Sequence, residues 1–274
     1  MGGAATHDAP RRVRGRSQPT RPARDARGGL RLRGNRARRE GRRLVEAIVL
    51  AGGKAERLGD AAAGKPKSLV PVGGRPLLAW QLGRLQRAGV GRVIVSCLGG
   101  QEEEFQRDLA GLGVEVVCAG EPERLGRGGG IRFAARLRRE AGDVYAMNGD
   151  ELVDVDFAAL LARHRATAAA ATVTVAQPPS QFGQVDLGPD DRVTGFREVA
   201  TVPYWVNCGV YVLSEEALAR FPERGDHETT TFPELAGEGT LRAFRHEGLW
   251  LTVNTAKELR RADEHVAAHP EWLA

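Results

Sequence analysis

Cysteine is scarce in this chain, with three in 274 residues, at positions 97, 118 and 208, each inside an apolar run. That number and spacing exclude a disulfide framework and a cysteine metal site, so three buried thiols and a cytoplasmic protein are expected. No apolar run reaches about 18 residues, and no apolar stretch follows the N-terminal arginines, so neither a membrane span nor a signal peptide is expected. No Gly-Lys-Ser/Thr closes a glycine loop, which excludes a Walker site. His164, His227 and His246 stand in unlike contexts with no nucleophile pattern around them and read as non-catalytic. Lysine is nearly absent: four, at 54, 65, 67 and 257, face 36 arginines. Three of those four lie within fourteen positions. A chain that otherwise prefers the planar arginine fork keeps a compact point charge there.

The net charge of +5 is misleading. Residues 1–43 hold 14 arginines and three acids, giving +11 and leaving −6 for the remainder. This Arg/Gly/Ala/Pro-rich stretch has too few apolar residues to bury a core and is expected to be a disordered leader, dispensable for stability and activity. Organelle targeting and nucleic-acid contact are the alternatives. The acidic remainder argues against a nucleic-acid partner.

From Val45 the pattern alternates. Apolar runs at 46–51, 92–98, 114–118 and 143–147 read as buried strands. Helical stretches lie between them at 76–88, 102–109 and 128–139, and another follows at 156–164. Repeated strand–helix alternation predicts an α/β fold, a Rossmann-like mixed, mainly parallel sheet with helices on both faces. Its ligands belong outside the carboxyl ends of the strands. The second half is β-rich, with runs at 171–176, 182–187, 192–198 and 204–213, and closes on a helix over 255–268. Residues 44–274 read as one domain.

Three constellations carry chemistry. Ala51-Gly52-Gly53-Lys54 with Arg57 follows the first strand, and Lys65 and Lys67 come soon after. Glycines admit a close backbone approach, and the cations suit polyphosphate. Asn148-Gly149-Asp150-Glu151 ends a central strand, where a carboxylate suits Mg²⁺ completed by water and phosphate oxygens. Gly126-Arg127-Gly128-Gly129-Gly130 opens a helix at a cost of about 1 kcal/mol per glycine, which predicts close approach of a flat or charged ligand.

These motifs, LAGG-x-x-x-R-L, P-K-x-L, L-G-x-G and N-G-D, resemble the sugar-1-phosphate nucleotidyltransferase family over about 45–265. The resemblance implies Mg²⁺-dependent transfer of a nucleoside monophosphate from an NTP to a sugar 1-phosphate, releasing pyrophosphate. It implies that Arg57 and Lys67 act on the triphosphate, and that Ala51, Gly52, Gly53, Lys54, Glu121 and Gly126 bind the nucleotide. Gly149, Gly183, Glu198 and Asn207 would contact the sugar, and Asp150 would hold the metal. A homo-oligomer is compatible with the resemblance. The chemistry agrees, because in-line displacement at phosphorus needs positioning and charge neutralisation rather than a side-chain nucleophile.

The chain departs from that pattern at several places. Ala55-Glu56 stands where the loop usually reads Gly-Thr, and an alanine at positive φ would be strained. Arg127 replaces a frequent Thr, and Val199 a frequent Lys. In Trp250-Leu251-Thr252-Val253-Asn254-Thr255 the second metal carboxylate is replaced by Thr252. Asn254 either supplies a neutral oxygen to the metal or caps the following helix. Glu121 can only accept hydrogen bonds when ionised, which favours guanine and GTP over UTP. Two alternatives remain: a catalytically silent nucleotide-sugar-binding regulator, and a molybdenum-cofactor-type guanylyltransferase.

Overall fold

The computed structural model describes residues 45–62, 64–180, 182–198 and 200–273. The expected leader over 1–43, and Val199, lie outside the described residues.

Among the described residues, thirteen strands and seven helices follow one another. They are β1 (Ala47–Leu50), β2 (Pro71–Val72), β3 (Arg75–Pro76), α1 (Leu77–Arg87), β4 (Arg92–Leu98), α2 (Glu102–Asp108), β5 (Glu115–Glu121), α3 (Gly126–Ala135), β6 (Val144–Asn148) and β7 (Glu151–Val153). Then come α4 (Phe157–Ala166), β8 (Ala171–Ala176), β9 (Gln184–Leu187), β10 (Val193–Arg197), β11 (Val206–Leu213), α5 (Glu215–Arg220), α6 (Thr231–Gly237), β12 (Leu241–Arg245), β13 (Trp250–Thr252) and α7 (Ala256–Ala268).

Seven strands form the central sheet in the order β12-β8-β11-β6-β1-β4-β5. Only β11 runs against its neighbours β6 and β8; the remaining pairs are parallel. The sheet is therefore mixed and mainly parallel, as the alternating pattern predicts. Strand side chains alternate between faces. Val49, Val95 and Met147 pack with Leu78 and Leu82 of α1, Phe105 of α2 and Leu160 of α4. Ile48, Ile94 and Ala146 pack on the other face with Ile131 of α3, Leu218 of α5 and Phe232 of α6. A third cluster joins Leu259 and Val266 of α7 to Trp80, Leu152 and Leu251.

The β-rich half divides. Strands β8, β11 and β12 extend the central sheet, while β9 and β10 form a separate antiparallel ribbon. Its turn uses Asp190 and Asp191 at φ 59° and 57°, a conformation that aspartate tolerates better than most residues. Val185, Leu187, Val193 and Phe196 of the ribbon are exposed. Cys97 and Cys208 are buried as expected, but Cys118 is only half-buried, because β5 is the edge strand. Among the described residues no helix is long and apolar enough to cross a membrane.

Candidate active site

Parallel pairing of β6, β1, β4 and β5 brings the carboxyl ends of four strands to one edge. A cleft of 480 Å³ opens there. Gly52, Gly53, Glu121, Gly126 and Asp150 line it, so residues of all three constellations converge. Ala51 is buried at its base, with its N–H donating to the Ser96 carbonyl at 2.7 Å.

The glycine loop is open toward the cleft. A Cβ at Gly52 would come no nearer than 3.9 Å to Glu121 Oε1, and one at Gly53 no nearer than 4.0 Å to Lys67 Cδ. Neither glycine adopts positive φ, and nor does Ala55, so the strain expected at Ala55 does not arise. Their contribution is room for an approaching group.

Lys67 lies in a short 3-10 turn after Pro66, and its side chain is buried. Its ammonium donates to Asp150 Oδ2 at 2.6 Å and to Asn254 Oδ1 at 2.5 Å. Arg57 reaches the same Asn254 oxygen at 3.3 Å. The ladder between β7 and β13 explains the meeting. It pairs Thr252 with Glu151, and Val253 N–H then bonds the Asp150 carbonyl, which sets Asn254 beside Asp150. Thr252 turns its hydroxyl to Glu258 at 3.2 Å. The cap of α7 is Thr255, which forms a reciprocal capping box with Glu258. Asn254 is therefore not the cap.

Among the described residues no group of three or more His, Cys, Asp or Glu could hold a metal ion. Asp150 and Asn254 nonetheless present two hard oxygens to one cationic centre, the Lys67 ammonium. That donor set fits Mg²⁺, which binds through one or two protein oxygens and fills its octahedron with water and phosphate.

Glu121 is buried beneath the glycine loop. Ser96 Oγ lies 2.7 Å from one of its oxygens and 3.1 Å from the Gly130 carbonyl, and Leu125 N–H donates to the other oxygen at 3.0 Å. Glu151, the last residue of the Asn148–Glu151 constellation, also lines the cleft, though the sequence alone assigns it no separate role. Burial, and then the neighbouring charge of Asp150, push its carboxyl up to about 8, while Trp250 Nε1 donates to it at 3.1 Å. Asn148 of the same constellation lines the cleft as well, and so do Ser68 and Arg124, to which no sequence signal points.

Several of the expected residues have other partners within the chain. The glycine run at 128–130 packs against the chain itself. A Cβ at Gly128 would meet His227 N at 2.8 Å, and one at Gly129 would meet Glu223 O at 2.6 Å. Gly225 O accepts from Gly128 N–H at 2.9 Å and from Gly129 N–H at 3.2 Å, so a loop caps the start of α3 where a ligand was expected. Lys65 pairs with Asp108 of α2, and Lys54 is exposed and pairs with Glu56 at 3.0 Å. Neither lines the cleft. Arg127, in place of the frequent Thr, does line it, and binds Asp226 and Glu228.

The residues expected to contact sugar are dispersed. Gly149 is buried, and a Cβ there would meet Leu50 O at 2.8 Å, so the glycine lets β6 close on β1. Gly183 and Glu198 lie on the exposed ribbon, where the Phe196 ring fills the space beside Gly183. Asn207 donates to Glu228 Oε1 at 2.8 Å and to Tyr211 OH at 2.9 Å, and accepts from Gly209 N–H at 2.9 Å. None of the four lines the cleft. His164 and His246 also serve structure, bonding Thr172 Oγ1 and the Leu249 carbonyl, each at 2.9 Å.

Comparison with known proteins gives the family and the fold. The model of the nucleotidyl transferase family matches residues 46–269. The mannose-1-phosphate guanylyltransferase of Mycobacterium tuberculosis is 32% identical over 229 residues, covering 79% of this chain and 63% of that protein. The mannose-1-phosphate guanylyltransferase catalytic subunit beta of Xenopus tropicalis is 29% identical over 245 residues, covering 84% of this chain and 68% of that protein. This chain thus spans about two thirds of the length of these relatives. The crystal structure of HddC from Yersinia pseudotuberculosis complexed with GMP-PN superposes with a TM-score of 0.64 at 21% identity. It covers 81% of this chain and 99% of HddC. A putative glucose-1-phosphate thymidylyltransferase from Bacillus anthracis gives the same TM-score at 16% identity, covering 81% of this chain and 94% of that one. These structures share the fold.

Proposed function

We propose that this chain, which belongs to the nucleotidyl transferase family, transfers a nucleoside monophosphate from an NTP to a sugar 1-phosphate. An oxygen of the sugar phosphate attacks the α-phosphorus in line. A new P–O bond forms as the bond to the β-phosphate breaks, and the electron pair leaves on pyrophosphate. The step needs alignment and charge neutralisation.

The observation that carries this reading is the buried Lys67 ammonium, held between Asp150, which lines the cleft, and Asn254, with its side chain beside Gly53 of the same cleft. A buried ammonium fixed before substrate arrives costs no reorganisation as charge builds on the phosphoryl oxygens. In this reading Lys67 and Arg57 take the triphosphate, while Ala51, Gly52 and Gly53 let its backbone-facing side approach. Lys54 would act at the outer end of the phosphates. Asp150 and Asn254 would hold Mg²⁺, which would offset phosphate charge. Gly183, Glu198 and Asn207 lie off the cleft and take no part in this reading. Glu121 and Gly126 would face the base.

A carboxylate at position 121 in the cleft lining supports guanine, whose N1–H and N2–H are adjacent donors. The names of the two sequence relatives support GTP and mannose 1-phosphate as the first pair to test. A silent binding role rests on the lost carboxylate at 252 and the lost lysine at 199; Asn254 beside Asp150 weighs against the first ground. The names of the relatives weigh against a molybdenum-cofactor substrate. Pyrophosphate release measured across four NTPs and a panel of sugar 1-phosphates tests the reading. It is expected with GTP and a hexose 1-phosphate, and its absence with every pair would overturn the proposal.

A further inference from the structure

A second cavity, of 370 Å³, lies against the glycine loop. It shares Gly52, Gly53 and Arg124 with the cleft, and Lys54, Lys65 and Gln101 line its other sides. The cations around the loop differ in what they already hold. Lys65 is paired with Asp108 and Lys54 with Glu56. Lys67 is shared by Asp150 and Asn254, and Arg57 reaches Asn254.

Arg124 stands apart. Its NH1 donates to the Gly52 carbonyl at 2.7 Å, and among the described residues its guanidinium makes no ion pair. A guanidinium carries five N–H donors in a fixed fork. With one spent on Gly52, the others stay available at an exposed position on the wall between the two cavities.

The bond to Gly52 also has a local consequence. In a trans peptide the carbonyl and the next N–H point in opposite directions. Fixing the Gly52 carbonyl toward Arg124 therefore turns the Gly53 N–H away from it. Two adjacent glycines offer little steric resistance to a flip of that peptide. Arg124 selects one orientation of the segment that a phosphate must approach.

We propose that Arg124 binds the outer phosphates of the NTP, and the pyrophosphate formed from them, while holding the Gly52–Gly53 peptide in its binding orientation. This rests on the nucleotidyl-transfer reading and adds a cation to it, one that bonds phosphate oxygens bidentately as arginine does. A single arginine in a turn carries no sequence pattern, and only its proximity to Gly52 reveals it.

Calorimetric titration of the full chain with inorganic pyrophosphate, and separately with GMP, tests the assignment. Arg124→Ala is expected to weaken pyrophosphate binding at least about tenfold while GMP affinity stays within about twofold. Arg124→Lys, which keeps the charge without the fork, should recover part of the loss. Melting temperatures should match, because the side chain is exposed. Unchanged pyrophosphate affinity in Arg124→Ala would overturn the proposal. So would an equal loss of GMP and pyrophosphate, which would leave Arg124 only a support of the loop. If the unaltered chain binds neither ligand, the nucleotidyl-transfer reading fails as well; if it binds both and Arg124→Ala matches it, only this inference fails.

Discussion

Asp150 and Asn254, 104 positions apart in the chain, bond the same ammonium, that of Lys67, at 2.6 and 2.5 Å. The register of β13 on β7 brings them together, and the Thr255–Glu258 capping box leaves the Asn254 side chain free for that role.

Substitutions in this pair should separate metal binding from helix capping. Asn254→Asp adds a second formal negative charge and should strengthen Mg²⁺ binding in the absence of nucleotide. Asn254→Ala should raise the Mg²⁺ concentration giving half-maximal rate, with little change in melting temperature. Thr255→Ala should do the reverse, lowering stability by about 1 kcal/mol while leaving the Mg²⁺ dependence unchanged. Mg²⁺ titrations of rate beside thermal melts check both. An Asn254→Ala protein that melts early with normal Mg²⁺ dependence would show that its role is structural.

Gly129→Ala should destabilise through packing. The added methyl meets Glu223 O at 2.6 Å and the Leu125 side chain at 2.8 Å, so the loop over α3 must move. Overpacking of this kind costs about 1–3 kcal/mol. Gly52→Ala, whose nearest contact would be 3.9 Å, should leave stability nearly unchanged and affect nucleotide binding instead. Urea unfolding of the two variants distinguishes them.

Histidine 227 should impose a pH dependence on stability. Its ring is fully buried, stacked on Phe221 at 4.9 Å, and neither nitrogen has a hydrogen-bond partner among the described residues. Burial pushes its pKa down to about 4. Above pH 6.5 the residue is neutral in both states and costs nothing. Between about 6.5 and 4 the unfolded chain takes a proton that the folded chain refuses, so stability falls with pH, by up to about 3 kcal/mol. The stability difference between His227→Phe and the unaltered chain should therefore widen in favour of the variant from pH 7 to pH 5. A difference independent of pH would contradict the burial argument.

Much of the fold was legible because its signals are local. Strand β4 at 92–98 and strand β8 at 171–176 match the apolar runs residue for residue, and α1 lies within the predicted 76–88. The candidate site was legible where a motif follows a strand end, as at Gly52 and Gly53 after β1 and Asp150 after β6. It failed where the partner is distant. The glycine run at 128–130 looked like a ligand cradle because nothing nearby announces the loop at 222–227 that fills it. Lys65 looked like a phosphate cation because Asp108 is 43 positions away. The role of Asn254 could have been narrowed from sequence, since Thr255-Ala256-Lys257-Glu258 is a capping-box pattern and makes Thr255 the cap.

The central claim is that the Lys67 ammonium works on the triphosphate. The most direct test is single-turnover formation of nucleoside diphosphate sugar by Lys67→Ala at saturating GTP, sugar 1-phosphate and Mg²⁺, with the melting temperature measured on the same sample. Losing a preorganised charge at the reacting centre should slow the step by roughly 10²–10³-fold, in a protein whose fold is intact. Turnover equal to that of the unaltered chain would contradict the account.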